Sequence, residues 1–250
     1  MKTYGLIGYK LDYSFSRKFF TEKFKNEKRE DYEYINFEID SINEFPELFK
    51  KDKTIYGLNC TIPYKEQIVP FLDEIDPEAA AIGAINTVKI IRGKNQPLKL
   101  KGYNTDIYGF ENSLKPLLKK YHKKALILGT GGASKAVKHI LEKLNIEYLM
   151  ATRKENPGTG KISYSQINKD IIDEFLLIVN TTPLGTYPNV KDCADLPYQY
   201  LTKNHLLYDL VYNPEITAFM QHGTNMGATV LNGLKMLRLQ AIKSWEIWNS

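Results

Sequence analysis

Apolar runs and helical stripes alternate along most of this chain. In the C-terminal half, short runs at 125–128, 147–152, 176–181, 206–210 and 228–231 are hydrophobic almost without interruption, the pattern of strands buried on both faces of a parallel sheet. Helical spacing fills most of the intervals. The clearest stripe, Ala133, Ala136, Val137, Ile140, Leu141 and Leu144, begins directly after the run at 125–128 and fits one face of a helix. Strand and helix alternating in this way predict a doubly wound, Rossmann-type α/β domain. The N-terminal half has its own candidate strands at 4–8, 32–37, 55–61, 84–91 and 99–103, with helices expected after Ser16, Ile42, Lys65 and Asp76. Asp76-Pro77-Glu78 is a helix start: a capping carboxylate, a proline at the first helical position, then an acid in the first turn. These separate apolar faces predict a second α/β domain. A final helix, about 233–249, carries Leu234, Leu237, Ala241, Trp245 and Trp248 on one stripe. The stretch 152–162, with Asn156-Pro157-Gly158-Thr159-Gly160, reads as a flexible loop.

Composition narrows the function classes. With 250 residues, 43% hydrophobic and 25% charged, the chain has room for two modest domains of ordinary globular make-up. The net charge of +5 comes from lysines scattered among acids. That balance suits small anionic ligands and does not imply nucleic acid. No run is long enough to span a bilayer, and the N-terminus opens into a strand without a signal-peptide core, so a cytoplasmic protein with no membrane partner is expected. Cys60 and Cys193 form neither a disulfide framework nor a metal motif. His122, His139, His205 and His222 lie in separate segments without ligand spacing and read as surface or helix-end residues, so no metal is expected.

The glycines carry the first chemical signal. Gly129-Thr130-Gly131-Gly132-Ala133 sits between the strand at 125–128 and the helix that follows, the arrangement that offers backbone N–H groups to a phosphate. Ser134 stands where a dinucleotide loop usually has its third glycine, and an ordinary turn is the other reading. The next strand ends in Thr152-Arg153-Lys154 with no acid to take a ribose 2′-hydroxyl. A guanidinium there would instead fork onto a 2′-phosphate, favouring NADP over NAD, unless both cations belong to a solvated loop. Elsewhere, polar groups end or interrupt apolar strands at Thr61, Lys65, Asn86, Asn104 and Asp106. Singly, each has a plain structural reading: a surface lysine, a satisfied buried amide, a turn residue, a helix cap.

Taken together these segments resemble one family. Thr61-Ile62-Pro63-Tyr64-Lys65, Ile82-Gly83-Ala84-Ile85-Asn86-Thr87, Asn104-Thr105-Asp106-Ile107-Tyr108-Gly109-Phe110, the glycine loop, Asn180-Thr181-Thr182-Pro183-Leu184-Gly185, Tyr208-Asp209-Leu210-Val211-Tyr212-Asn213-Pro214 and the run Asn232–Ala241 are similar, in order, to the motifs of the shikimate/quinate dehydrogenase family. The resemblance implies NADP-dependent, reversible reduction of 3-dehydroshikimate to shikimate, on the route to chorismate and the aromatic amino acids. It implies a discontinuous substrate-binding domain at 1–105 plus 232–250, an NADP-binding domain at 106–231, a substrate cleft between them and a monomer or homodimer. Lys65 matches the catalytic lysine and Asp106 its aspartate. Ser14, Ser16, Thr61, Asn86, Tyr212 and Gln240 match substrate contacts. Gly129, Gly131, Gly132 and Ala133 match the pyrophosphate loop, Thr152 and Arg153 the 2′-phosphate site, and Leu210 and Gly233 positions near the nicotinamide. A quinate/shikimate enzyme of broader specificity, or a non-catalytic NADP- or polyol-binding sensor, would share the fold.

The opening motif departs from the family's. Gly8-Tyr9-Lys10-Leu11-Asp12-Tyr13-Ser14-Phe15-Ser16-Arg17 keeps both serines and lacks the usual prolines and histidine, and Tyr64 replaces a common histidine before the lysine. Without the prolines, the loop at 9–17 is expected to be more mobile before substrate binds. In an extended segment the Ser14 and Ser16 hydroxyls would share one face and meet one carboxylate.

Overall fold

The computed structural model describes residues 1–11, 14–93, 97–155 and 158–250. They form two compact units, Met1–Tyr108 with Leu237–Ser250, and Gly109–Met236. In chain order the elements are β1 (Lys2–Gly8), α1 (Phe15–Asn26), β2 (Tyr32–Glu38), α2 (Phe45–Lys51), β3 (Ile55–Cys60), α3 (Tyr64–Gln67), β4 (Glu74–Ile75), α4 (Pro77–Ile82), β5 (Thr87–Ile91), β6 (Lys99–Tyr103) and α5 (Asp106–Leu114). There follow β7 (Lys124–Leu128), α6 (Gly132–Lys143), β8 (Glu147–Thr152), β9 (Lys161–Ser163), α7 (Lys169–Glu174), β10 (Leu177–Asn180), β11 (Leu206–Asp209), α8 (Ala218–Asn225), β12 (Thr229–Leu231) and α9 (Leu234–Asn249). Among the described residues no helix is long and apolar enough to cross a membrane.

The first unit holds a six-stranded sheet in the order β2-β1-β3-β5-β6-β4. It is mixed: β1 runs parallel to β2 and β3, while β5 is antiparallel to β3 and β6. One core packs Ile7, Phe45, Ile55, Leu58 and Ile85 together. A second is aromatic, with Phe20 stacked on Tyr34 at 4.6 Å and Trp248 5.4 Å from Phe20. Trp248 lies flat enough to do this because Gly57 has no side chain: an added Cβ would meet the indole at 2.5 Å.

The second unit is a Rossmann-type layer structure. Its six strands run in the order β12-β11-β10-β7-β8-β9 and every pair is parallel. Sequence order reverses between β7 and β10, the switch point at whose C-terminal ends such sheets hold ligands. Gly129 follows β7 there, and Thr181 follows β10.

Several expectations need correcting. The apolar run at 84–91 is a strand only from Thr87, because Ala84 and Ile85 are buried outside the ladder. The stretch 152–162 is not all loop: β9 begins at Lys161 and pairs with β8, while Asn156 and Pro157 lie outside the described residues. The α6 stripe also shifts, since Ala133 is exposed and Ser134 is buried in its place, donating to the Gly131 carbonyl at 2.6 Å. Two histidines are core residues. His122 and His205 are each buried, accept a backbone N–H at Nδ1 and reach a backbone carbonyl through Nε2.

Candidate functional site

Two ends of secondary structure in the first unit bring a lysine to a carboxylate. Lys65 sits in the single turn of α3 and Asp106 opens α5. Lys65 Nζ donates to Asp106 Oδ2 at 2.7 Å, and the two side chains are 26% and 15% exposed. The other oxygen, Oδ1, accepts from Asn86 Nδ2 at 2.8 Å. The Asn86 amide has only one reasonable orientation, because its Oδ1 receives the Thr105 backbone N–H at 2.7 Å. Asn104 does serve the turn: its Oδ1 takes the Asp106 N–H at 3.1 Å and its Nδ2 holds the Ala84 carbonyl at 2.8 Å. Asp106 is therefore both the first residue of a helix and the held partner of an ammonium. A pair with one oxygen bound to a lysine, the other to an amide, and an open side is equipped to hand over a proton. Beside it, burial pushes the Cys60 thiol up to about 12, with Asp106 adding and Lys65 opposing, so Cys60 is no nucleophile.

The other residues expected around the substrate fall as follows. Thr61 lies between β3 and α3, its N–H bonded to Ile7. Gln240, on α9, is buried and takes the Thr105 hydroxyl at 3.3 Å. Ser14 is the N-cap of α1, its Oγ accepting the Arg17 N–H at 3.1 Å. Ser16 lies one residue inside the helix, beside the Tyr34 phenol, where it opposes part of the upward shift that burial gives that group. The shared face of an extended segment is thus absent, because the helix starts at Phe15 and places Ser16 in its first turn. The mobility expected of 9–17 involves Asp12 and Tyr13, which lie outside the described residues. Leu11 beside them is anchored, its N–H to Glu38 and its carbonyl to Asn36, both at 2.9 Å. Tyr64 is buried with its phenol on the Ile39 carbonyl at 2.6 Å, a core residue. Tyr212 follows β11 in the second unit, where burial raises its phenol.

In the second unit the glycines separate by what the fold requires of them. Gly129 has φ +100°, and a Cβ there would strike Thr182 at 2.8 Å, so that glycine is needed by the turn. Gly131 and Gly132 are different: neither has positive φ, and an added Cβ meets no atom within 4 Å. Nothing in the chain needs them bare. The first turn of α6 also has no side-chain cap, leaving backbone donors free for an anion. A phosphate cradle would account for both facts together, whereas an ordinary helix start accounts for Gly131 alone, as an N-cap glycine. Arg153 is exposed past the end of β8, near enough to Tyr164 to oppose the burial that raises that phenol. Thr152 Oγ1 accepts the Lys154 N–H at 3.4 Å. Leu210 and Gly233 are pressed together after β11 and β12: a Cβ on Gly233 would lie 2.1 Å from the Leu210 carbonyl oxygen. The uncapped start of α6 and the exposed Arg153 offer donors and positive charge to an anionic ligand.

Comparison with known proteins agrees with that geometry. Residues 6–88 match the family model described as shikimate dehydrogenase substrate binding domain. A shikimate dehydrogenase (NADP(+)) of Carboxydothermus hydrogenoformans is 36% identical, over 99% of this chain and 91% of its own. The chain belongs to the shikimate dehydrogenase family. Among solved structures, shikimate dehydrogenase 1 of Peptoclostridium difficile is 39% identical with a TM-score of 0.82, covering 100% of this chain and 92% of that one. Shikimate 5-dehydrogenase of Thermus thermophilus, in complex with NADP(H) and shikimate, is 28% identical with a TM-score of 0.83, covering 99% and 93%.

Two groups of residues in this shikimate dehydrogenase family member have no role in the sequence pattern, although several stand inside the motifs quoted above. In the second unit, buried Asp209 accepts from Asn180 Nδ2 at 2.9 Å, from Thr217 Oγ1 at 2.6 Å and from the Val211 N–H at 3.0 Å. It ties the end of β10 to the segment that follows β11. In the first unit, Asn59, Thr87, Thr105 and Ser244 form a buried polar cluster behind Asn86. The available signal was a polar residue inside an apolar strand, as at Asn59 and Thr87.

Proposed function

We propose that this protein is an NADP-dependent oxidoreductase that interconverts 3-dehydroshikimate and shikimate in the formation of chorismate and the aromatic amino acids. The observation that carries the reading is the 2.7 Å contact from Lys65 Nζ to Asp106 Oδ2, with Asn86 holding the second oxygen. A protein that only sensed NADP or a polyol would have no use for a lysine held in this way. NADPH, when bound, supplies hydride to the ketone carbon. Lys65 delivers the proton to the developing alkoxide oxygen, and Asp106 keeps the ammonium aimed and its charge balanced. In the reverse direction Lys65 takes that proton back. Its partial exposure lets solvent restore the proton balance between turnovers.

Substrate recognition is assigned to Ser14, Ser16, Thr61, Asn86, Tyr212 and Gln240, whose hydroxyls and amides match a small carboxylate bearing several hydroxyls. A buried site built from such groups penalises analogues that leave one of them unpaired. Gly129, Gly131, Gly132 and Ala133 would hold the pyrophosphate, Thr152 and Arg153 the 2′-phosphate, and Leu210 and Gly233 would flank the nicotinamide. Residues 1–105 with 232–250 are taken as the substrate-binding domain and 106–231 as the NADP-binding domain. We place the enzyme in the cytoplasm, as a monomer or homodimer. The test is cofactor oxidation at 340 nm with NADPH or NADH against 3-dehydroshikimate or 3-dehydroquinate. NADPH with 3-dehydroshikimate should be the best of the four pairs. Preference for 3-dehydroquinate would reassign the substrate, and no turnover in any pair would support a binding protein.

A further inference from the structure

Behind Asn86 lies a buried cluster that the mechanism above does not use. Asn59, Thr87, Thr105 and Ser244 are 3%, 0%, 1% and 0% exposed, so their hydrogen bonds meet no competition from water. Thr87 Oγ1 stands 3.0 Å from Asn86 Oδ1, 2.8 Å from Ser244 Oγ and 3.1 Å from Asn59 Nδ2. Asn59 is itself oriented, because its Oδ1 accepts the Tyr34 phenol at 2.8 Å. Its amide N–H groups therefore point into the cluster, toward Thr87 and, at 3.0 Å, toward Ser244.

A hydroxyl has one proton to give, and the geometry allocates it. Asn86 Oδ1 can only accept, so its 3.0 Å contact takes the Thr87 proton, while Thr87 Oγ1 accepts from Asn59; the single Ser244 proton has two acceptors in reach, Thr87 Oγ1 and the Gln240 carbonyl. Asn86 Oδ1 thus takes the Thr105 N–H and the Thr87 O–H, with the Thr105 hydroxyl a third donor at 3.2 Å, and Asn86 Nδ2 is committed to Asp106. Ser244 comes from α9, one helical turn past Gln240, and also reaches the Gln240 carbonyl at 3.0 Å. The cluster thus ties two proposed substrate residues to the carboxylate that aims Lys65. We propose that Thr87 and Ser244 are positioning residues that fix the Asn86 amide and, through it, Asp106 in the orientation proton transfer needs. The proposal rests on the reading of Lys65 and Asp106 given above.

The experiment compares wild type with Thr87→Val, Thr87→Ser and Ser244→Ala, using 3-dehydroshikimate and NADPH. Valine keeps the shape of threonine and loses the donor. Thr87→Val should lower kcat on the order of 5- to 10-fold, the scale of one lost neutral hydrogen bond, with KM for NADPH unchanged. Thr87→Ser should return kcat to within about twofold of wild type, since it restores the hydroxyl. A purely structural role would lower the melting temperature and leave kcat alone. A folded Thr87→Val with wild-type kcat, or a serine variant no better than the valine one, overturns the proposal. Should Thr87→Val fail to fold, Ser244→Ala decides: reduced kcat with normal NADPH affinity supports it, and wild-type kcat overturns it. If wild type itself turns nothing over, the reading of the Lys65–Asp106 pair fails and this proposal falls with it.

Discussion

Replacing Gly132 by valine should separate folding from cofactor binding. Gly132 is the first residue of α6, has no positive φ, and an added Cβ there meets nothing within 4 Å. Valine in a helix costs less than about 0.7 kcal/mol relative to alanine. Losing a glycine's freedom in the unfolded chain offsets this by roughly 0.4–1 kcal/mol. The folded protein should therefore melt within a few degrees of wild type. Binding is another matter. If the bare backbone at 131–133 donates to a phosphate, a branched side chain keeps that anion away from one N–H donor. Each charge-assisted bond is worth about 1.5–3 kcal/mol. At about 1.4 kcal/mol per decade, the NADPH dissociation constant should rise roughly 10- to 100-fold. Titration by isothermal calorimetry, with a thermal melt of the same sample, reads both quantities. A normal melt with unchanged NADPH affinity would refute the cradle and return the loop to an ordinary turn.

Other outcomes follow from the same geometry. Arg153→Ala should weaken NADP binding by about 1.5 kcal/mol, the low end for a bond to a charged group because Arg153 is exposed, while NAD binding stays level; equal losses would remove Arg153 from the 2′-phosphate. Burial holds the His122 imidazole below its usual 6.5, so the neutral ring's contribution to stability is complete above about pH 6.5 and is lost as pH falls through the lowered value. Wild type should melt lower at pH 5.5 than at 7.5, and His122→Gln should narrow that gap; an unchanged gap counts against the assignment. In the native protein a maleimide probe should label Cys193, which is partly exposed, and spare Cys60, whose thiol is buried and pushed up to about 12. Equal labelling would show that the Cys60 environment opens.

The second unit was readable because its central strands, β7, β10 and β11, are buried on both faces and so spell themselves as continuous apolar runs, with a glycine turn marking where the helix begins. The mixed sheet of the first unit was less legible. Glu74–Ile75 is too short to show any periodicity, and Ala84-Ile85 is apolar because it is buried, without belonging to a strand. Ser14 is a good N-cap residue, yet two serines two positions apart also suit an extended segment, and the helix expected after Ser16 begins earlier, at Phe15. Lys65, Asp106 and Asn86 stood out because polar groups at strand ends are costly unless used. Thr87 and Ser244 did not, since a single hydroxyl inside an apolar strand or helix looks like any satisfied core residue until its neighbours are known. His122 and His205 were misplaced for a related reason. Each ring accepts a backbone N–H three residues earlier, a local bond that buries a histidine without leaving a pattern of spacing.

The central claim is that the Lys65–Asp106 pair moves the proton in the reduction of a ketone by NADPH. The most direct measurement is single-turnover NADPH oxidation by saturating 3-dehydroshikimate in wild type and Lys65→Ala, with binding of both ligands measured on the same preparations. The variant should bind NADPH normally and transfer hydride about 10²- to 10⁴-fold more slowly, the range for loss of a general acid. Hydride transfer at the wild-type rate in a folded Lys65→Ala would contradict the account.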